Sequence, residues 1–350
     1  MILVTGGTGF LGSHLLWLIY KKNIKARVLT RTGSSKKQLH AIYGFYYPDD
    51  LNSEPYVGFV NHFEWVNADI TEFDSLKDVM EDIDEIFHVA AYISYDKQGK
   101  NNLINVNFRG TQNLVNLALD RGISKFHYVS SIGALERNEF NIINESLRQP
   151  GKNSSVYSMT KYLAELEVWR GYQEGLKGVI VNPGVIIGPG EISAPSLQIL
   201  NIILKGLRFF PSGSNGYVDV RDVASCLLEL AEKEELYNER FLLVSESVTY
   251  KNLFEWIALG FGIKAPKYKA RKSLAYMVSA VDWIRSLITG RKRSISPGLV
   301  RLSAKSYEFD NFKIKHAINY KFRDISLSVK ESCEFIIKQM DKPTEANHHN

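Results

Sequence analysis

Short apolar runs alternate with longer amphipathic stretches through the first half of the chain. The runs Ile2 to Val4, Ala26 to Thr30, Glu64 to Asn67, Glu85 to Ala90, Phe126 to Ser130 and Val179 to Asn182 have strand length. Between most of them, Leu11 to Lys21, Phe73 to Met80, Asn105 to Asp120 and Tyr157 to Tyr172 repeat apolar positions at the helical period. Strands that read as continuous apolar runs and alternate with helices imply right-handed crossovers and a parallel sheet covered on both faces. The pattern therefore predicts a doubly wound α/β fold. Gly33 to His62 is long for a connection and rich in Tyr and Phe, and a partly helical insertion is expected there. After Pro183 the alternation decays into Gly/Pro-punctuated segments and helices, which predicts a smaller, mostly helical C-terminal lobe.

Composition adds limits. The 350 residues are 45% apolar and 23% charged, with 43 Lys+Arg against 38 Asp+Glu, so a net charge of +5 argues against both disorder and a nucleic-acid-binding basic coat. Cys226 and Cys333 sit far apart inside apolar helical patterns, which reads as buried structural thiols rather than a disulfide or metal site. With no leader-like segment ahead of the first strand and no membrane-spanning apolar run, a cytoplasmic location is expected.

The first strand runs directly into Thr5-Gly6-Gly7-Thr8-Gly9-Phe10-Leu11-Gly12, which opens the first helix. In that context Gly6 allows a tight turn, Gly9 lets the backbone approach a pyrophosphate, and Gly12 lets helix and strand pack closely. Residues 1–182, with a return segment at about 217–245, are accordingly read as a dinucleotide-binding Rossmann domain. Residues 183–216 and 246–335 form the substrate lobe in this reading, and 336–350 a frayed tail. Past the second strand stands Thr30-Arg31-Thr32, with no acid to grip a ribose 2′-hydroxyl. Arg31 suits a 2′-phosphate instead and points to NADP over NAD. Asp69-Ile70, after the third strand, is placed to meet the adenine amino group or to cap the next helix.

Tyr157 and Lys161 stand at i and i+4 on one helix face. A phenol titrates near ~10, and a neighbouring ammonium makes it usable as an acid/base at neutral pH. Ser130-Ser131 closes the fifth strand at the sheet edge where ligands of such folds bind. His14, His88 and His127 cluster with no other ligand-type residue at metal spacing and read as structural, so no metal site is assigned.

These segments, together with Phe87-His88-Val89-Ala90-Ala91, Asn107-Phe108-Arg109-Gly110-Thr111, Asn182-Pro183-Gly184 and Asp219-Val220-Arg221-Asp222, resemble the extended short-chain dehydrogenase/reductases. This is the NAD-dependent epimerase/dehydratase family, and the likeness is nearest to dihydroflavonol-reductase-like and 3β-hydroxysteroid-dehydrogenase-like members. It covers Met1 to about Lys330. The resemblance implies Tyr157 as proton donor/acceptor, Lys161 as the group that binds the nicotinamide ribose and activates the tyrosine, Ser131 as the orienting hydroxyl, and Asn107 at a helix kink or water relay. It implies cofactor contacts from Gly6, Thr8, Gly9, Phe10, Leu11, Gly12, Arg31, Asp69, Ile70, Ala90, Ala91, Pro183 and Val185. Tyr92, Ser94, Tyr95 and Asn182 would border the substrate.

The expected reaction is hydride transfer between nicotinamide and a carbonyl or secondary alcohol. Ile132-Gly133-Ala134 after Ser131 lacks the Asp-Glu pair of family dehydratases, which disfavours that chemistry. Arg31 favours net reduction with NADP. A sugar-nucleotide epimerase using NAD is the alternative, with Arg208, Arg221 and Arg301 as candidate diphosphate partners, and a non-catalytic NADP-binding regulator is a second one. The partner expected is a small molecule, with a homodimer allowed and no nucleic acid. Residues 264–301 carry ten Lys/Arg against the single acid Asp282 and hold an apolar stripe from Leu274 to Ile288. That stripe reads as a cap on the substrate lobe or as a peripheral contact with an anionic membrane.

Overall fold

The computed structural model describes residues 1–48, 54–94, 99–136, 142–147, 149–151, 154–271, 285 and 297–341. The six apolar runs become β1 (Ile2–Thr5), β2 (Ala26–Thr30), β3 (Glu64–Asn67), β4 (Glu85–His88), β5 (Lys125–Val129) and β6 (Val179–Pro183). Later in the chain come β7 (Val185–Ile187), β8 (Phe209–Phe210), β9 (Ser214–Asp219), β10 (Glu239–Leu243), β11 (Glu246–Thr249) and β12 (Tyr268–Lys269). One parallel sheet has the order β10-β6-β5-β4-β1-β2-β3. Leu3, Val4, Val28, Ile86, Phe126, Ile180 and Val181 are essentially inaccessible, because the strands are covered on both faces. This is the expected Rossmann-like, doubly wound fold.

On one face, helix α1 (Phe10–Lys21) packs against the helix Val220–Ala231. On the other, the helices Gly110–Asp120 and Val156–Gln173 pack against each other over Leu114, Ala118, Ala164 and Val168. The aromatic-rich insertion supplies α2 (Lys37–Tyr46) and α3 (Glu54–Asn61). Trp17 of α1 stacks on Tyr46 with ring centroids 4.5 Å apart, and Tyr43 and Phe59 complete a buried aromatic cluster. Such pairs contribute about 0.5–1.5 kcal/mol each beyond their buried area, so the insertion is held by aromatic contact with the helix that follows the glycine loop.

The second lobe is built on a three-stranded sheet, β11-β9-β7, a two-stranded ribbon, β12-β8, and helices. Its last helix, Ile325–Met340, lies against the helix Tyr250–Gly260, with Cys333 beside Gly260. That helix extends into the segment expected to fray. Ile325, Val329, Cys333 and Ile336 form one buried stripe, so regular structure persists to Met340. Both cysteines are buried, and burial pushes their thiols up. The apolar stripe from Leu274 to Ile288 lies outside the described residues except for Arg285. Among the described residues no helix is long and apolar enough to cross a membrane.

Candidate active site

The chain builds β1, β2 and β3 outward in one direction and then returns to place β4 on the other side of β1. A crevice opens at such a reversal, beyond the carboxyl ends of the strands. Thr5 and His88 end the two strands in register.

Gly6 has φ +74°, and a Cβ there would lie 2.7 Å from the Ala90 backbone, so the turn out of β1 requires glycine and brings Ala90 against it. Gly12 is equally constrained, because its Cβ would fall 2.0 Å from the Gly6 carbonyl oxygen. Gly9 differs. It is exposed, and its Cβ would meet only the Gly6 oxygen at 3.1 Å, so the missing side chain leaves room on the outer side of the loop. The helix that starts there, α1, has no side-chain cap and no acid in its first turn. Uncapped amides at a positive helix end beside an open glycine fit the diphosphate of a dinucleotide. Thr8 is half-buried on the loop, whereas Phe10 and Leu11 are buried with their side chains in the core.

At the end of β2, Arg31 is exposed in a tight turn in which its amide donates to Ser34 Oγ at 3.1 Å and Ser34 N donates to its carbonyl at 2.9 Å. Ser34, Ser35, Lys36 and Lys37 follow, again without an acid, and the Lys36 ammonium lies 4.1 Å from the Trp65 ring. Those hydroxyls and cations surround Arg31 and carry no short sequence motif. Asp69 Oδ1 accepts from Thr71 N at 2.9 Å and Thr71 Oγ1 at 2.8 Å, so it caps its own turn and not the helix at Phe73. Ile70 is buried and its carbonyl accepts from Asn113.

The helix Val156–Gln173 is capped by Ser155, whose hydroxyl accepts from Ser158 N at 3.1 Å. Tyr157 sits half-buried in its first turn. One turn on, Lys161 is almost wholly buried, donates from Nζ to the Val129 carbonyl at 2.7 Å, and lies 4.3 Å from the Tyr128 ring. Burial pushes its ammonium down to about 7, against the opposing pull of the Glu165 carboxylate. Ser131 leaves β5 and accepts from Gly133 N at 3.0 Å, which leaves its own proton to donate. Gly133 rests on Ser158, since a Cβ there would lie 3.0 Å from Ser158 Oγ. The serine turn is thereby packed on the same helical turn that carries Tyr157.

Asn107 is buried in a π-helical segment, Leu103–Arg109, of a kind found often at functional sites. Its side-chain amide clamps Tyr92, accepting from Tyr92 N at 2.7 Å and donating to Tyr92 O at 3.0 Å, and also donates to Thr160 Oγ1 at 3.2 Å. Behind it, Thr111 Oγ1 donates to Asn107 O, so His88 Nε2 must donate to Thr111 while Nδ1 accepts from Thr5 Oγ1, which in turn accepts from Ala90 N. That donor order assigns the tautomer. Burial, with the Lys161 charge adding to it, pushes the His88 imidazole down to about 3 and keeps it neutral.

Asn182 is buried, with its NH2 donating to Ser131 O at 3.0 Å and Glu165 Oε2 at 3.1 Å, so it ties β6 to β5 from within. Its Oδ1 is a buried acceptor with no partner. Pro183 and Val185 mark the point where the chain leaves the main sheet for the smaller one. The structure thus joins Gly6 to Ala90, Tyr92 to Asn107 and Ser131 to Asn182 by direct contact, and Asn107 to the helix of Tyr157 and Lys161 through Thr160. Ala91 is exposed at the same edge, Ser94 is half-buried beside Gly99, and Tyr95 lies outside the described residues.

Arg221 is committed elsewhere: it pairs with Asp219 at 2.6 Å and Glu331 at 2.5 Å. Arg208 and Arg301 are exposed. A cavity of about 970 Å³ lies in the second lobe beside Lys251, Lys264, Lys267 and Lys269 and contains none of the site residues above. His14 and His127 are structural, held by Pro189 O and Tyr46 in one case and by Glu85 in the other.

Known proteins resemble this chain in sequence and in fold. A Synechocystis sp. protein assigned the name dihydroflavonol 4-reductase is 28% identical over 317 residues, covering 89% of this chain and 87% of its own. Sterol demethylase protein B of Methylococcus capsulatus is 30% identical, covering 73% of each chain. The crystal structure of gox2253 superposes with a TM-score of 0.75 at 25% identity, covering 98% of this chain and 99% of that one. The sequence profile of the NAD dependent epimerase/dehydratase family matches residues 2–242, and the chain belongs to that family of extended short-chain dehydrogenase/reductases.

Proposed function

We propose that the protein is an NADP-dependent reductase that interconverts a carbonyl compound and its secondary alcohol, with Tyr157 as acid/base. The observation that carries this reading is the placement of Lys161. It is a buried ammonium one helical turn from Tyr157, at the carboxyl end of β5, where Ser131 leaves the sheet.

When bound, the nicotinamide supplies or accepts the hydride; the chain's residues manage the oxygen and its proton. The Ser131 hydroxyl donates to the reacting oxygen and orients it. The Tyr157 hydroxyl delivers the proton in reduction and recovers it in oxidation. The Lys161 ammonium and the positive end of the helix both favour the phenolate that remains. Gly6, Gly9 and the start of α1 hold the diphosphate. Arg31, Ser34 and Lys36 meet the 2′-phosphate, and the lobe beyond Pro183 closes over the substrate.

Reduction is favoured over sugar-nucleotide epimerisation by the cation and hydroxyl cluster after β2, which has no acid for a ribose diol, and by the commitment of Arg221 to a structural ion pair. The test is a paired assay. NADPH and NADH dissociation constants are measured by fluorescence, and NADPH consumption is followed over a panel of aldehydes, ketones, dihydroflavonols and 3-ketosteroids, with UDP-glucose epimerisation run alongside. NADPH preference and consumption are expected. Arg31→Asp should weaken NADPH binding by about ten- to a hundredfold, the loss of one charge-assisted contact. Equal affinity for the two cofactors, or epimerisation without net consumption, contradicts the reading.

A further inference from the structure

Glu165 lies one turn beyond Lys161 on the same helix and is only 1% exposed. Its Oε2 accepts from Ser130 Oγ at 2.7 Å and from Asn182 Nδ2 at 3.1 Å, and its Oε1 accepts from Arg240 Nη1 at 2.9 Å. Arg240, on β10, donates from Nε and Nη2 to the carbonyl of Glu145 and from Nη2 to that of Leu147. One carboxylate therefore binds together the catalytic helix and the ends of β5, β6 and β10. A buried ion pair is a weak stability device, since apolar residues of similar volume hold such a site as well or better. Here the carboxylate stands one helical turn beyond Lys161.

We propose that Glu165, paired with Arg240, is a positioning residue of the reaction: it fixes the strand ends that present Ser131 and Asn182 to the catalytic helix, and it places a buried carboxylate one helical turn from Lys161. The inference rests on the reductase reading. Around Lys161 the other polar or titratable groups are Tyr157 on its own helix, Tyr128 and the Val129 carbonyl on β5, and His88 on β4. None of these supplies a fixed negative charge. Around Glu165 stand Ser130, Asn182, Arg240 and Lys161, with Tyr128 and Tyr172 nearby, and among the described residues no second carboxylate hydrogen-bonds to Ser130, Asn182 or Arg240. Three contacts favour the charged form of Lys161 against its burial: the Val129 carbonyl at 2.7 Å, the Tyr128 ring at 4.3 Å and the Glu165 carboxylate, which is the one of the three that carries a formal negative charge.

The experiment is NADPH fluorescence titration between pH 6.5 and 9 on the full chain and on Glu165→Gln, Glu165→Asp and the double variant Glu165→Gln/Arg240→Gln. The double variant strands no unpaired guanidinium and is checked for folding by circular dichroism. In the unaltered protein, affinity falls as Lys161 loses its proton. In Glu165→Gln and in the double variant that fall should begin about one pH unit lower, and Glu165→Asp should restore most of it. A purely structural role would weaken binding evenly at every pH. A folded double variant whose fall coincides with that of the unaltered protein overturns the role of Glu165 while leaving the cofactor reading intact. An unaltered protein that binds neither NADPH nor NADH overturns both.

Discussion

Two buried polar networks flank the catalytic helix, and they differ in kind. On the β4 side every member is neutral: Ala90, Thr5, His88, Thr111, Asn107 and Thr160 form a chain in which each hydroxyl both gives and receives. On the β6 side the network is ionic, centred on Glu165 and Arg240, with Ser130 and Asn182 attached. A neutral chain with one allowed donor order fixes positions and is indifferent to pH across the physiological range. An ionic hub fixes positions too, and it also biases the protonation of a neighbouring lysine. The helix that carries Tyr157 and Lys161 is therefore held geometrically from one side and tuned electrostatically from the other.

The largest break in this comparison should come from Lys161→Met. It removes the group that both networks enclose, and turnover should fall at least about a hundredfold together with a loss of NADPH affinity. Steady-state kinetics and fluorescence titration read the two effects separately, and a change in only one of them would mean that Lys161 serves either the cofactor or Tyr157 but not both. Next comes Asn107→Ala, which leaves the amide and carbonyl of Tyr92 without their partner. Chemical denaturation should show a loss of about 2–3 kcal/mol, and a loss below about 0.5 kcal/mol would show that the clamp on Tyr92 is incidental.

A smaller effect sharpens the contrast through pH. His14 and His88 are pushed down to about 4 and about 3 by burial, so each binds a proton in the unfolded chain near 6.5 but not in the folded one. Their contribution to stability is complete above pH 6.5 and is lost as pH falls toward those values. At pH 5 each costs about 2 kcal/mol relative to pH 7. Imidazole proton resonances followed by NMR should stay flat for both residues from pH 8 to 5, and titration of His88 near 6.5 would contradict the neutral network.

The legible parts of this molecule were the local ones. The glycine loop and the Tyr157–Lys161 pair declare themselves within a few residues, and the six apolar runs declare six of the seven strands of the main sheet, all but β10. The networks join residues remote in sequence, Thr5 to His88 and Glu165 to Arg240, and no spacing rule connects them. Glu165 had one readable signal: a carboxylate on the Tyr157–Lys161 face, in a helix whose neighbouring positions Ala164 and Val168 are core. Arg221 read as one of three candidate partners, with Arg208 and Arg301, for a sugar-nucleotide diphosphate. Its position two residues after Asp219, which caps the helix Val220–Ala231, was the local sign that it is structural. A frayed tail is expected from residue 336, whereas the last helix runs to Met340 with Ile336 buried, because its apolar stripe packs on the neighbouring helix.

The central claim is that Tyr157 moves the proton while the rest of the site holds the cofactor. Tyr157→Phe deletes one oxygen, and its direct test pairs kcat on the best carbonyl substrate of the panel with the NADPH dissociation constant. The account predicts kcat lowered by at least about a hundredfold with NADPH affinity within about twofold of the unaltered protein. A variant that keeps even about a tenth of kcat contradicts it.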